Sequence, residues 1–124
     1  MAGRVQDFPP DTVTYFSAGH FFLVNWSAGG QSLRAISDQP PGLEDVRCRV
    51  RYGFDDGRGG LQIDESGHGG GYFKGDCAPV RFNFWRGEDL SASCECGLDH
   101  YRVQIVDGRV FVDTTHRLPF AWQY

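Results

Sequence analysis

Apolar and polar residues alternate over short stretches of this chain, and no stretch keeps a helical period. Thr12–Phe16 reads Thr-Val-Thr-Tyr-Phe, the pattern of a half-buried strand. Ser17-Ala18-Gly19 is a turn, and Phe21–Trp26 follows as a second strand. Ala28-Gly29-Gly30 turns the chain again into Ser32–Ile36. In Val46–Tyr52, Val46, Cys48, Val50 and Tyr52 share one face, and Arg47, Arg49 and Arg51 share the other. Val80–Phe84 is a further short strand. Tyr101–Val106 and Arg109–Asp113 flank Asp107-Gly108, a strong two-residue hairpin signal.

Breakers set the scale of these elements. The 17 glycines and 6 prolines interrupt every window long enough for a stable helix. The predicted fold is therefore all-β, a small domain of stacked antiparallel sheets over residues 1–114. One segment stands apart. Residues 54–71 hold seven glycines and several acids, and read as a long insertion loop with one short strand, Leu61–Ile63. Residues 115–124 read as a tail, whose Phe120, Trp122 and Tyr124 either fold back on the domain or contact a partner.

Charge and composition then exclude several classes. A formal net charge of −4 argues against nucleic acid as a partner. No apolar run approaches the ~20 residues of a membrane span. Met1–Pro10 lacks the apolar centre of a signal peptide. The expectation is a soluble protein, at most peripheral on a membrane complex. Asp55-Asp56 and Asp64-Glu65 lie among glycines and read as solvated acids. No nucleophile elbow is present, and "GRGGLQ" and "GHGGG" lack the lysine and hydroxyl of a phosphate loop. Nothing points to an enzyme.

The order of parts resembles a family. "DFPPDTVTYFSAGHFFLVNWSAGGQSLRAISD", residues 7–38, looks like the opening strands of a Rieske iron–sulfur domain. "FNFWRGEDL", residues 82–90, is similar to its strand and Gly-Glu turn after the second cluster loop. "GLDHYRVQIVDGRVFVDT", residues 97–114, looks like its closing hairpin. Such a domain holds a two-iron cluster through a cysteine and a histidine from each of two loops. The family spacing is Cys-x-His in the first loop and Cys-x-x-His in the second. In many members each loop carries an extra cysteine, and the two form a disulfide.

Here the resemblance implies loss of the cluster. The four ligand positions fall on Leu43, Asp45, Gly75 and Ala78. The two bridging positions fall on Cys48 and Cys77, so the resemblance implies a Cys48–Cys77 disulfide. In the chain-entropy picture, closing that loop stabilises the domain by ~3–4 kcal/mol. The implied function is a cluster-free structural or docking subunit of a respiratory or photosynthetic oxidoreductase complex, with no cofactor expected. Its partners would be protein subunits of that complex. The contact surface would be the tips, residues 39–47 and 74–80, with the aromatic tail as a second contact.

A different reading keeps a metal. "SGHGGGYF", residues 66–73, also resembles the end of the second cluster loop, with His68 as ligand. Glu65 stands where that alignment needs a cysteine, and no histidine lies between His20 and His68. Cys94 and Cys96 are two apart, so on a strand both sulfurs share a face. With His68 or His100 they would make a zinc site or, with unorthodox ligands, a [2Fe-2S] electron carrier.

Overall fold

The computed structural model describes residues 2–26, 32–39, 49–55, 57, 61–63, 70–75, 81–83, 87 and 97–118. Its strands are β1 (Gly3–Arg4), β2 (Thr12–Phe16), β3 (Phe21–Trp26), β4 (Ser32–Ser37), β5 (Val50–Asp55), β6 (Leu61–Ile63), β7 (Tyr72–Gly75), β8 (Arg81–Asn83), β9 (His100–Val106) and β10 (Arg109–Leu118). A single 3-10 turn, Val5–Asp7, is the only helical element among the described residues. No helix among them is long and apolar enough to cross a membrane.

Among the described residues the pairings are all antiparallel and fall into two sheets. The larger has the order β1-β10-β9-β4-β3-β2, the smaller β6-β5-β7-β8. The protein is an all-β domain of antiparallel sheets, as the breaker pattern predicts.

Burial explains the central strands. Phe21, Phe22, Leu23 and Val24 are consecutive and all buried. A strand throws successive side chains to opposite faces, so this run fills two cores. Phe22 and Val24 join Val13 and Ile36 against Val50, Tyr52, Phe73 and Phe82 of the smaller sheet. Phe21 and Leu23 join Phe8, Ala35 and Val110 on the other face. The larger sheet is thus covered on both sides, which is why β3 does not alternate in polarity. Across the inter-sheet core, Tyr15 packs on Phe22 at 4.7 Å, Phe22 on Phe73 at 4.7 Å, and Phe73 on Tyr52 at 5.3 Å between ring centroids.

Several boundaries differ from the expected ones. β5 begins at Val50, and it takes in Phe54 and Asp55, which the sequence assigns to the insertion loop. Those two residues pair with β6, so the loop is shorter than expected. Lys74 and Gly75, expected in a tip, are the end of β7, opposite Arg51 and Val50. β10 continues to Leu118, four residues into the expected tail. Within it the register breaks: from Asp113 to Leu118 the strand advances five residues while its partner moves two, from Arg102 to His100. The hairpin at Asp107-Gly108 has φ of 50° and 73°, the left-handed pair that a two-residue turn of this kind requires.

Phe73 is wholly buried between two rings, and Phe111 is 39% exposed. Phe73→Ala is expected to cost about 3–5 kcal/mol, and Phe111→Ala less than about 1 kcal/mol, in urea unfolding.

Candidate functional site

β4 ends at Ser37, and the next residue is Asp38, a carboxylate with no exposure to solvent. Backbone bonds hold it there. Ser37 N–H donates to the Asp99 carbonyl at 2.8 Å, and Asp38 N–H donates to the His20 carbonyl at 3.1 Å. The Val50 N–H donates to the Asp38 carbonyl at 2.6 Å. The Ser37 hydroxyl oxygen accepts the N–H of Gln39 at 3.1 Å, a local turn that serine favours.

A buried carboxylate needs partners, since an uncompensated charge in the interior costs several kcal/mol. Asp38 has three. The Tyr15 hydroxyl donates to Oδ2 at 2.6 Å. Arg49 Nη1 donates to Oδ1 at 2.8 Å. His20 Nδ1 lies 3.6 Å from Oδ2. The partners come from β2, from the turn between β2 and β3, and from the residue before β5. His20 holds a left-handed backbone, φ 57°, which is uncommon for a side chain other than glycine but enriched in histidine. That conformation closes the turn and sets the imidazole above Asp38.

Polarity is layered. The Asp38 side chain is the floor, at 0% exposure, while those of Arg49 and His20 stand at 24% and 54%. Above them opens a cleft of about 480 Å3, whose walls include Gln39, Tyr101, Thr114 and Thr115. The two threonines sit where β10 leaves its register, and such irregularities re-aim side chains. Thr115 is steadied by Asp113, whose Oδ1 accepts both its N–H and its hydroxyl.

Of the residues singled out in the sequence, Gly75 and His100 are described. Gly75 ends β7 and has no side chain to offer. His100 lies on β9 opposite Ile36, 4% exposed, away from solvent. Leu43, Asp45, Ala78, Cys48, Cys77, Cys94, Cys96, His68, Phe120, Trp122 and Tyr124 lie outside the described residues. Among the described residues no group of three or more metal-binding side chains comes together. The donor set at the aligned ligand positions does not fit a two-iron cluster. Leucine, glycine and alanine carry no ligand atom, and one carboxylate cannot replace two thiolates and two imidazoles.

A scan against family models finds no match to the chain, and a search of curated proteins finds none.

Sequence reasoning missed Tyr15, His20, Asp38 and Arg49 as a group. Arg49 reads as one of three arginines on the polar face of a strand, and Asp38 is given no role. A usable signal was there: Asp38 and Arg49 bracket a stretch that opens Gln39-Pro40-Pro41-Gly42. The ends of such a loop must be tied together.

The Tyr15 phenol is pushed up from 10.0 to about 12, first by burial, then by its hydrogen bond to Asp38 and the charge of that carboxylate, with Arg49 opposing. A raised pKa means that the fold favours the protonated, neutral phenol. That contribution is complete below pH 10 and is lost as pH rises toward 12. Absorbance titration of the phenolates is expected to show a late step that is absent in Tyr15→Phe. Asp38→Asn is expected to return it toward the ordinary range and to cost about 2–3 kcal/mol, because Arg49 loses its counter-charge.

Proposed function

We propose that this protein is a cluster-free, Rieske-like docking subunit of an electron-transfer oxidoreductase complex, without catalytic activity of its own. One observation carries the reading: the residues on either side of the stretch 40–48 are tied directly to each other. Asp38 and Arg49 flank that stretch, and they are joined by an ion pair at 2.8 Å and by the bond from Val50 N–H to the Asp38 carbonyl. In the parent fold the equivalent loop is organised around iron. Here a buried carboxylate and an arginine join the two residues that flank the stretch, which supports a holding role that needs no cluster.

The ladder of the smaller sheet lends support. Val50 faces Gly75, Arg51 faces Lys74, and Tyr52 faces Phe73. Both expected tips therefore leave the same end of the sheet. The Cys48–Cys77 staple enters this reading from the resemblance, which places both cysteines at the bridging positions. Peptide mapping without reductant is expected to recover a Cys48–Cys77 cross-linked peptide. Cys48→Ser is expected to lower stability by about 2–4 kcal/mol under oxidising conditions only.

The docking reading is tested on tagged protein isolated anaerobically from its host. Respiratory or photosynthetic subunits are expected to co-purify, with iron and acid-labile sulfide far below stoichiometric. Stoichiometric iron and sulfide would replace the reading with an electron carrier of unorthodox ligands. Failure to enrich any such assembly would end it.

A further inference from the structure

The cleft above Asp38 has a property that a structural clamp does not require. Its acidic group is the floor, wholly buried, and its basic groups, Arg49 and His20, are partly exposed. Asp38 is wholly buried, and its oxygens are directed to Tyr15, Arg49 and His20. Arg49 gives one of its guanidinium N–H groups to Asp38, and among the described residues it has no other hydrogen-bond partner. A guanidinium has five such donors in a planar fork that matches an oxyanion. His20 and Thr114 line the same cleft. The chain as a whole carries a net charge of −4, so diffuse attraction does not bring anions here, and only a local site would. At about 480 Å3 the cleft is within the usual size of a small-ligand site.

The geometry points to a binding site for a small oxyanion, a carboxylate or a phosphate, held by Arg49 and His20 over the buried Asp38. The Asp38 carboxylate orients the arginine fork and offsets its charge from below. The ligand completes the fork from above. This inference does not depend on the docking reading, since it concerns the isolated protein and a diffusible ligand.

The test is a titration of the full chain with inorganic phosphate and, separately, with acetate, followed by NMR. Saturable shifts are expected at His20, Tyr101 and Thr114 with at least one of the two anions. Which anion saturates first assigns the class. Arg49→Lys keeps a cation over Asp38 but loses the fork, and is expected to weaken binding about tenfold. His20→Asn tolerates the left-handed backbone and removes the imidazole, and is expected to weaken it about threefold. The proposal fails if neither anion gives a saturable shift at these residues at tens of millimolar. It fails equally if both folded variants bind as the parent does, because the anion would then sit elsewhere.

Discussion

A carboxylate with no access to water has to be satisfied by protein, and Asp38 sets that demand at the end of a central strand. Its position is not free to vary: backbone bonds from β4 to Asp99, to His20 and to Val50 hold the residue from three sides. The side chain then recruits a phenol from β2, an imidazole from the β2–β3 turn and a guanidinium from just before β5. Tyr15 lies on β2 and His20 in the β2–β3 turn of the larger sheet, while Arg49 leads into the smaller one. The polar group thus joins the two sheets where the apolar core stops. Tyr15 shows the continuity, because its ring packs on Phe22 while its hydroxyl reaches Asp38.

Below that point the sheets are held by area and shape. The larger sheet has apolar residues on both faces of β3 and β4, so one sheet serves two cores. Phe22, Ile36 and Phe73 contribute to the inter-sheet core, and Leu23, Ala35 and Val110 to the other. Burying a large aliphatic or aromatic side chain is worth roughly 1.5–3 kcal/mol. A few such residues therefore outweigh the whole polar cluster in stability. The cluster is better understood as fixing where the chain turns than as supplying the stability of the domain.

Much of the strand plan was legible, because alternation and breakers are local signals. β2, β3, β4, β6 and the β9–β10 hairpin follow directly from Val13, the Phe21–Val24 run and Asp107-Gly108. The boundaries that differ are those set by partners. Phe54 and Asp55 look like loop until β6 is there to pair with them. Thr115 looks like the start of a tail until β10 is seen to run on past its irregularity. The site was illegible for a related reason. Tyr15, His20, Asp38 and Arg49 are scattered along the chain, and only the crossing of three connections brings them together. Neither an outward-facing arginine nor an acid beside prolines carries a mark of burial in the sequence.

A buried ion pair is a poor way to gain stability, since apolar residues of similar volume often do as well or better. Its presence at the foot of a loop therefore asks for another reason. Apolar contacts have no direction, and Leu or Met at positions 38 and 49 would let the two chain ends slide against each other. A carboxylate and a guanidinium meet only within a narrow range of angles and distances, so they fix the register of the entry into β5. Once Val50 is placed opposite Gly75, a one-residue slip would turn Tyr52 out of the core and Arg51 into it. The polar anchor and the apolar core thus answer different questions at neighbouring positions. Val50 and Tyr52 make the smaller sheet adhere to the larger one, and Asp38 with Arg49 decides in which register it does so.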